Sequence, residues 1–188
     1  MATKEKIIEL IDKNQNGIEH LIDKKVQIWT EYVLFSGLWW MGVGLSIIPW
    51  IIWFVIRKRD STDRLLYTAF YIMTIAVVSD ILGDQFGLWH YRYHVIPVIP
   101  TYFPWDITLI PVTMITLIQI KPNMNPWFKA VFFSLLASYL AEPFFDWLGV
   151  YEPDHWRYSY SVPLQIIFYM SAHALSKRNQ FSKLTIEK

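Results

Sequence analysis

Apolar residues in this chain gather into long runs, separated by short charged or aromatic stretches. Val33 to Ile56 is free of charge over 24 residues, enough to cross about 30 Å of hydrocarbon as a helix. The run sits behind a polar segment and ends at Arg57-Lys58-Arg59 with no small-residue cleavage site, unlike a secretory signal. A second run extends from Leu65 to about Phe86 and carries Asp80 and Asp84 in its last third. A third begins near Pro104 and reaches Ile120, with Asp106 in its first turn and Pro111 inside. The fourth, from about Trp127 to Leu148, carries Glu142 and Asp146 near its end, and the fifth, Ser161 to about Ser176, holds His173. The pattern predicts an all-α fold, a polytopic membrane helix bundle of about five transmembrane helices over residues 33–176.

Residues 1–32 read differently. Ile7, Ile8, Ile11, Ile18, Leu21, Ile22 and Val26 recur among charges at helical spacing, weakened at Asn16-Gly17. An amphipathic surface helix is expected there, lying on the membrane, packed on the loops, or pairing with a partner or a second copy of the chain. Residues 177–188 form a basic C-terminal tail.

Composition narrows the class. Of the 188 residues, 54% are hydrophobic and 18% aromatic, too apolar for a disordered chain and unusual for a soluble domain. The net charge of +1 offers no basic excess for nucleic acid. With no cysteine, disulfides, thiolate metal sites and cysteine nucleophiles are excluded. No P-loop, HExxH or GxSxG pattern occurs. Basic residues predict orientation. Arg57, Lys58, Arg59, Arg64, Lys121, Lys129, Lys177, Arg178, Lys183 and Lys188 fall on one side of the expected membrane, against Arg92 and Arg157 on the other. The expected topology has the N-terminus outside and the C-terminus inside.

One pattern occurs twice. Asp80-x-x-x-Asp84-x-x-Gly87 is followed by Trp89-x-Tyr91-x-Tyr93 and Pro97, and Glu142-x-x-x-Asp146-x-x-Gly149 by Trp156-x-Tyr158-x-Tyr160 and Pro163. An insertion near Tyr151–His155 lengthens the second copy. Helices two and three are thereby expected to repeat as helices four and five in a parallel internal repeat, both aromatic loops facing outside. Four-residue spacing sets each pair of acids on one helix face. The alternating aromatics would share one face of an extended strand. Ionisable groups in a bilayer avoid lipid, so Asp80, Asp84, Asp106, Glu142 and Asp146 should point into the bundle, where crowding calls for a proton or a cation.

Three readings follow. The acids, walled by Trp89, Tyr91, Trp156 and Tyr158 and neutralised when empty by Arg92 and Arg157, bind a small cation or polar ligand; hard oxygen ligands suit Ca²⁺ or Mg²⁺. Alternatively, a protonated carboxyl beside a carboxylate performs acid–base chemistry on a lipid or isoprenoid. In the third reading the acids pair with Arg92 and Arg157 in a rigid outer lid. His90 and His94 lie close enough in sequence to be ligands, although Arg157 and Ser161 occupy the matching places of the second copy. His173 reads as a buried hydrogen-bonding residue.

Through Gly87-Leu-Trp89-x-Tyr91, Phe103-Pro-Trp-Asp106, Trp147-Leu-Gly-Val-Tyr-Glu152 and Trp156-x-Tyr158-x-Tyr160-Ser-x-Pro163, residues 28–175 resemble an uncharacterised family of small five-helix membrane proteins from spore-forming Gram-positive bacteria. The resemblance implies a bacterial cytoplasmic membrane and carries no assigned activity. A fainter likeness, in Trp89-x-Tyr91 followed by Pro104-Trp-Asp106, is to membrane-bound lycopene cyclase domains, which have a glutamate pair where this chain has one acid.

Overall fold

The computed structural model describes residues 3–179; the expected basic tail beyond Asn179 lies outside them. The chain opens with α1 (Lys4–Ile28), capped by Thr3, whose side chain accepts the Lys6 N–H. A π-helical turn, Trp29–Val33, follows, and the chain reverses at Phe35, which takes φ 62°. Ser36 then caps α2 (Gly37–Ile56) through the Trp39 N–H. A 3₁₀ turn at Arg59–Ser61 leads into α3 (Thr62–Gln85), and a short strand β1 (His90–Tyr91) follows. The π-helical turn Pro104–Leu109 runs into α4 (Ile110–Gln119). Next, α5 (Pro126–Leu136) continues through a second π-helical turn, Ala137–Ala141, into α6 (Glu142–Trp147). Strand β2 (Tyr151–Glu152) and α7 (Tyr158–Ser176) complete the fold.

The fold is mostly helical, as expected, but three helices rather than five are long and apolar enough to cross a membrane: Gly37–Ile56, Arg59–Gln85 and Pro126–Trp147. The other two expected spans fall short for separate reasons. Pro104 to Gln119 is only 16 residues long. In α7 the length suffices, but Gln165, His173 and four serines dilute its apolar character.

Within the bundle α3 is central, packed on α4, on α7 and on the turn Pro104–Leu109, while α5 lies along α7 and α2 covers Pro104–Leu109. Their shared core joins Leu65, Ile72 and Ala76 of α3 to Met114 and Ile115 of α4, Phe133 of α5, and Phe168, Tyr169 and Ala172 of α7. Alanines 69, 76, 130 and 172 are nearly inaccessible, and such small side chains let membrane helices approach closely. Outside the core, α2 exposes Ile47, Ile48, Ile51, Ile52 and Val55 together, an apolar face that hydrocarbon would cover. None of the α1 residues is buried.

The two ends of the bundle differ. At one, the Arg64 guanidinium donates to the Ser176 carbonyl at 2.9 Å and the Lys58 N–H to Gln119 Oε1 at 3.4 Å. There Lys129 Nζ satisfies the last carbonyls of α4, bonding those of Leu117, Ile120 and Lys121 at 2.8, 2.6 and 3.1 Å. At the other, Trp89, Tyr91, Tyr102, Phe145, Val150 and Tyr151 form a separate aromatic cluster over the helix ends. The N-terminal segment is tied to this lid by Trp29 Nε1 and Trp39 Nε1, which donate to the carbonyls of His94 (2.7 Å) and Val95 (3.2 Å).

Helices α3 and α6 end alike. Gly87 (φ 65°) and Gly149 (φ 71°) take the left-handed conformation that glycine adopts without strain. Their N–H groups bond the carbonyls of Asp84 and Asp146, and the next N–H groups, of Leu88 and Val150, reach back to Gly83 and Phe145. Strands β1 and β2 then pair antiparallel, His90 opposite Glu152 and Tyr91 opposite Tyr151. His90 and Glu152 are each the third residue after their glycine.

The second aromatic motif departs from expectation. Trp156-x-Tyr158-x-Tyr160 is not extended: the intervening insertion supplies β2, and the motif runs into the first turn of α7. The Trp156 and Tyr160 rings meet edge to face, centroids 5.5 Å apart, and Tyr160 is exposed.

Close packing fixes one helical glycine. A Cβ on Gly83 would sit 2.0 Å from the Trp89 ring. Alanine ordinarily strengthens a helix interior by about 1 kcal/mol over glycine, but here Gly83→Ala should destabilise the fold by about 1–3 kcal/mol, the range for overpacking. Gly17→Ala, with nothing within 4 Å of its Cβ, should be neutral or stabilising. Denaturant unfolding in detergent reads both signs.

Candidate functional site

Asp80 projects from the last third of α3 into the ground beneath the lid and is 5% exposed. Its Oδ1 accepts from Trp89 Nε1 at 2.7 Å and from the Tyr91 hydroxyl at 3.0 Å; Oδ2 accepts the Tyr102 backbone N–H at 3.0 Å. Three donors satisfy a buried carboxylate without a counter-ion, and they join α3, the first aromatic loop and the entry to α4. Asp106, in the first turn after Pro104, is 2% exposed, accepts the Thr101 hydroxyl and lines the same cavity as Asp80.

The second half builds a related but unequal arrangement. Trp156 Nε1 donates to Ser161 Oγ at 2.8 Å, and Ser161 Oγ donates to Glu142 Oε2 at 3.0 Å. The serine is thus a relay between tryptophan and acid where the first half has direct contact. Tyr158 donates to Asp146 rather than to Glu142. The lid tryptophans meet edge to face, with Trp89 and Trp156 ring centroids 4.9 Å apart, and Tyr91 stacks on Tyr102 at 5.1 Å.

Between the halves lies a cavity of about 60 Å³. Asp80, Asp106 and Glu142 line it, and Trp89, Tyr91, Tyr102, Trp105, Phe145, Tyr151, Trp156 and Phe168 wall it. No lysine, arginine or histidine is among its lining residues. Gln165 of α7, 4% exposed, also lines it, and its Oε1 has no hydrogen-bond partner among the described residues. The cavity is therefore rich in acceptors and poor in donors.

Of the acids expected to act together, Asp84 and Asp146 are not on the cavity wall. Four residues turn a helix by about 400°, so the second acid of each pair is rotated by about 40° and lies one turn nearer the helix end. Asp84 bonds the neighbouring Gln85 side chain. The arginines do not neutralise the cavity acids. Arg92 pairs with Glu152 and donates to the Gly149 carbonyl, drawn there by the strand pair, and Arg157 is exposed ahead of α7. His90 pairs with Asp154 at 2.6 Å. His94 is buried, its Nδ1 3.3 Å from the Thr101 carbonyl. His173 Nδ1 is buried without a partner among the described residues, contrary to expectation. Nothing local in the sequence marks Thr101, Tyr102 or Gln165, or gives Ser161 its role as a relay: each acquires its place by tertiary packing.

Among the described residues no group of three or more His, Asp or Glu side chains has metal-binding geometry. No family model, no curated protein and no solved structure matches the chain.

Burial shifts proton affinities within the lid. Burial, reinforced by the Asp80 and Asp106 carboxyls, pushes the Tyr91 hydroxyl far above its usual range, so it remains a donor. Burial, helped by the Lys25 charge, lowers His94 to about 4. An unfolded histidine titrates near 6.5. Between these values the unfolded chain binds the proton and the folded chain does not, so His94 makes stability fall as pH drops from 6.5 towards 4, by up to about 3 kcal/mol. His94→Gln should flatten that part of the pH profile, measured by unfolding at successive pH values. Asp80→Asn, which sets an amide N–H₂ against one of three donors, should cost about 2–3 kcal/mol, seen in the same unfolding assay and as a shift in tryptophan emission.

Proposed function

We propose that this chain is an integral membrane protein that binds a small organic cation of the ammonium type in the cavity beneath its lid. What carries the reading is the lining: three carboxyl groups, an unpartnered Gln165 Oε1 and aromatic walls, with no basic side chain. An ammonium group supplies the donors that such a cavity lacks, and aromatic faces attract its charge. The absence of converging metal ligands among the described residues favours an organic cation over Ca²⁺ or Mg²⁺.

The reading includes five transmembrane helices, with Pro104–Gln119 and α7 spanning inside the shelter of the three apolar ones. It places the lid outside and the basic end inside a bacterial cytoplasmic membrane, as the basic residues and the resemblance to the five-helix family imply. The matching glycine caps, and a strand register that counts equally from both, support a parallel repeat about an axis along the membrane normal. The exposed apolar stripe of α1 is assigned to the outer membrane surface or to a partner helix.

One observation favours a second reading. Asp80 and Asp106 are two carboxyl groups buried together at the cavity wall, a pairing that general acid–base chemistry on a lipid-soluble substrate can use.

Calorimetric titration of the purified protein with methylammonium separates these readings. Saturable binding, weakened about tenfold by Glu142→Gln, the loss of one charge-assisted contact, is the expected result. No binding in the wild type, together with a co-purifying lipid or isoprenoid found by native mass spectrometry, would replace it with the enzyme reading.

A further inference from the structure

The basic end of the bundle holds a second depression, independent of the lid cavity, with a volume of about 340 Å³. It opens where the start of α3, the end of α4 and the end of α7 converge. Lys58, Arg64 and Lys177 line it, against a single acid, Asp60. The side-chain ion pairs found among the described residues are His90–Asp154 and Arg92–Glu152, both in the lid, so these three cations have no anionic partner there.

The site is also built rather than merely charged. Arg64 is held in place by neutral acceptors, donating to the Ser176 carbonyl and to Asn179 Oδ1, each at 2.9 Å. Those bonds use two of the five N–H donors of a guanidinium and orient its planar fork. His173 reaches the same groove from α7, and its buried Nδ1 lacks a partner among the described residues. Ser61 adds a hydroxyl from the turn before α3. Three cations, an unmet ring nitrogen and a hydroxyl around a space of this size match an anion with several acceptor oxygens.

We propose that this groove binds a phosphate group, with Lys58, Arg64 and Lys177 supplying the charge and His173 and Ser61 further hydrogen bonds. Two sources carry that chemistry. One is the headgroup of an anionic phospholipid, for which basic pockets between membrane helices are suited. The other is free inorganic phosphate. Arg64 anchors the end of α7 as well, so the two lysines, whose side chains make no hydrogen bond among the described residues, are the better positions to change.

The test uses the full chain in mild detergent. Phosphatidylglycerol and phosphatidylcholine are offered in parallel and the adducts counted by native mass spectrometry; inorganic phosphate is titrated separately by calorimetry. The wild type should retain phosphatidylglycerol in preference to phosphatidylcholine, or bind inorganic phosphate, the first result naming a lipid and the second a free ion. Lys58→Gln and Lys177→Gln should each weaken that binding about fivefold, the effect of one basic residue near an anionic surface. Arg157→Gln, at the opposite end, should leave it unchanged. Neither probe binding to the wild type, binding undiminished in the Lys58→Gln, Lys177→Gln double variant, or an equal loss in Arg157→Gln would overturn the proposal.

Discussion

A carboxylate that is buried in a helix bundle with no cation beside it must be satisfied by donors, and at Asp80 those donors are the lid. The indole of Trp89, the hydroxyl of Tyr91 and the backbone N–H of Tyr102 all terminate on its two oxygens. Because each donor belongs to a different part of the 86–103 segment, one side chain fixes where the loop folds down and where α4 begins. The neighbouring features follow from that placement. Gly83 must lack a side chain for Trp89 to reach across it, and Asp106 is brought to the same cavity wall as Asp80. The strand β1 is held where β2 can pair with it.

The second half answers the same constraint with different parts. Glu142 is longer than aspartate by one methylene, and Ser161 stands between it and Trp156. The result is a cavity whose two walls are related in plan but unequal in chemistry: two aspartates face a single glutamate and the Gln165 oxygen. Charge is sorted along the bundle as well. Acids line the lid end of the core, while Lys58, Arg64, Lys129 and Lys177 gather at the other end, where Lys129 spends its charge on helix carbonyls.

Much of the architecture is legible from the chain. Uncharged length alone marks α2, and the punctuation at Arg57-Lys58-Arg59, Pro104, Pro126 and Gly149 delimits the helices to within a few residues. The buried acids are legible too, because the bilayer makes an isolated carboxyl in an apolar run conspicuous. Pairing is not. Helical spacing groups Asp84 with Asp80, yet about 40° of rotation and one turn of rise carry it off the cavity wall. Nothing near Arg92 announces Glu152, since their meeting depends on the register of two strands 60 residues apart in sequence. Similarly, Gln165 and Ser161 read as ordinary helix residues until α7 docks against α3 and α5. Helix boundaries are local properties; the identity of a hydrogen-bond partner belongs to the packed fold.

The dependence of the lid on Asp80 can be measured as a coupling energy. In a double-mutant cycle, Asp80→Asn and Trp89→Phe are compared singly and together by denaturant unfolding in detergent. Phenylalanine removes the indole N–H while keeping an aromatic ring. If the 2.7 Å bond between these side chains anchors the lid, the two changes should be non-additive by more than about 1 kcal/mol, as expected for a hydrogen bond to a charged group. Strict additivity, with each variant keeping the tryptophan emission of a closed lid, would contradict the account.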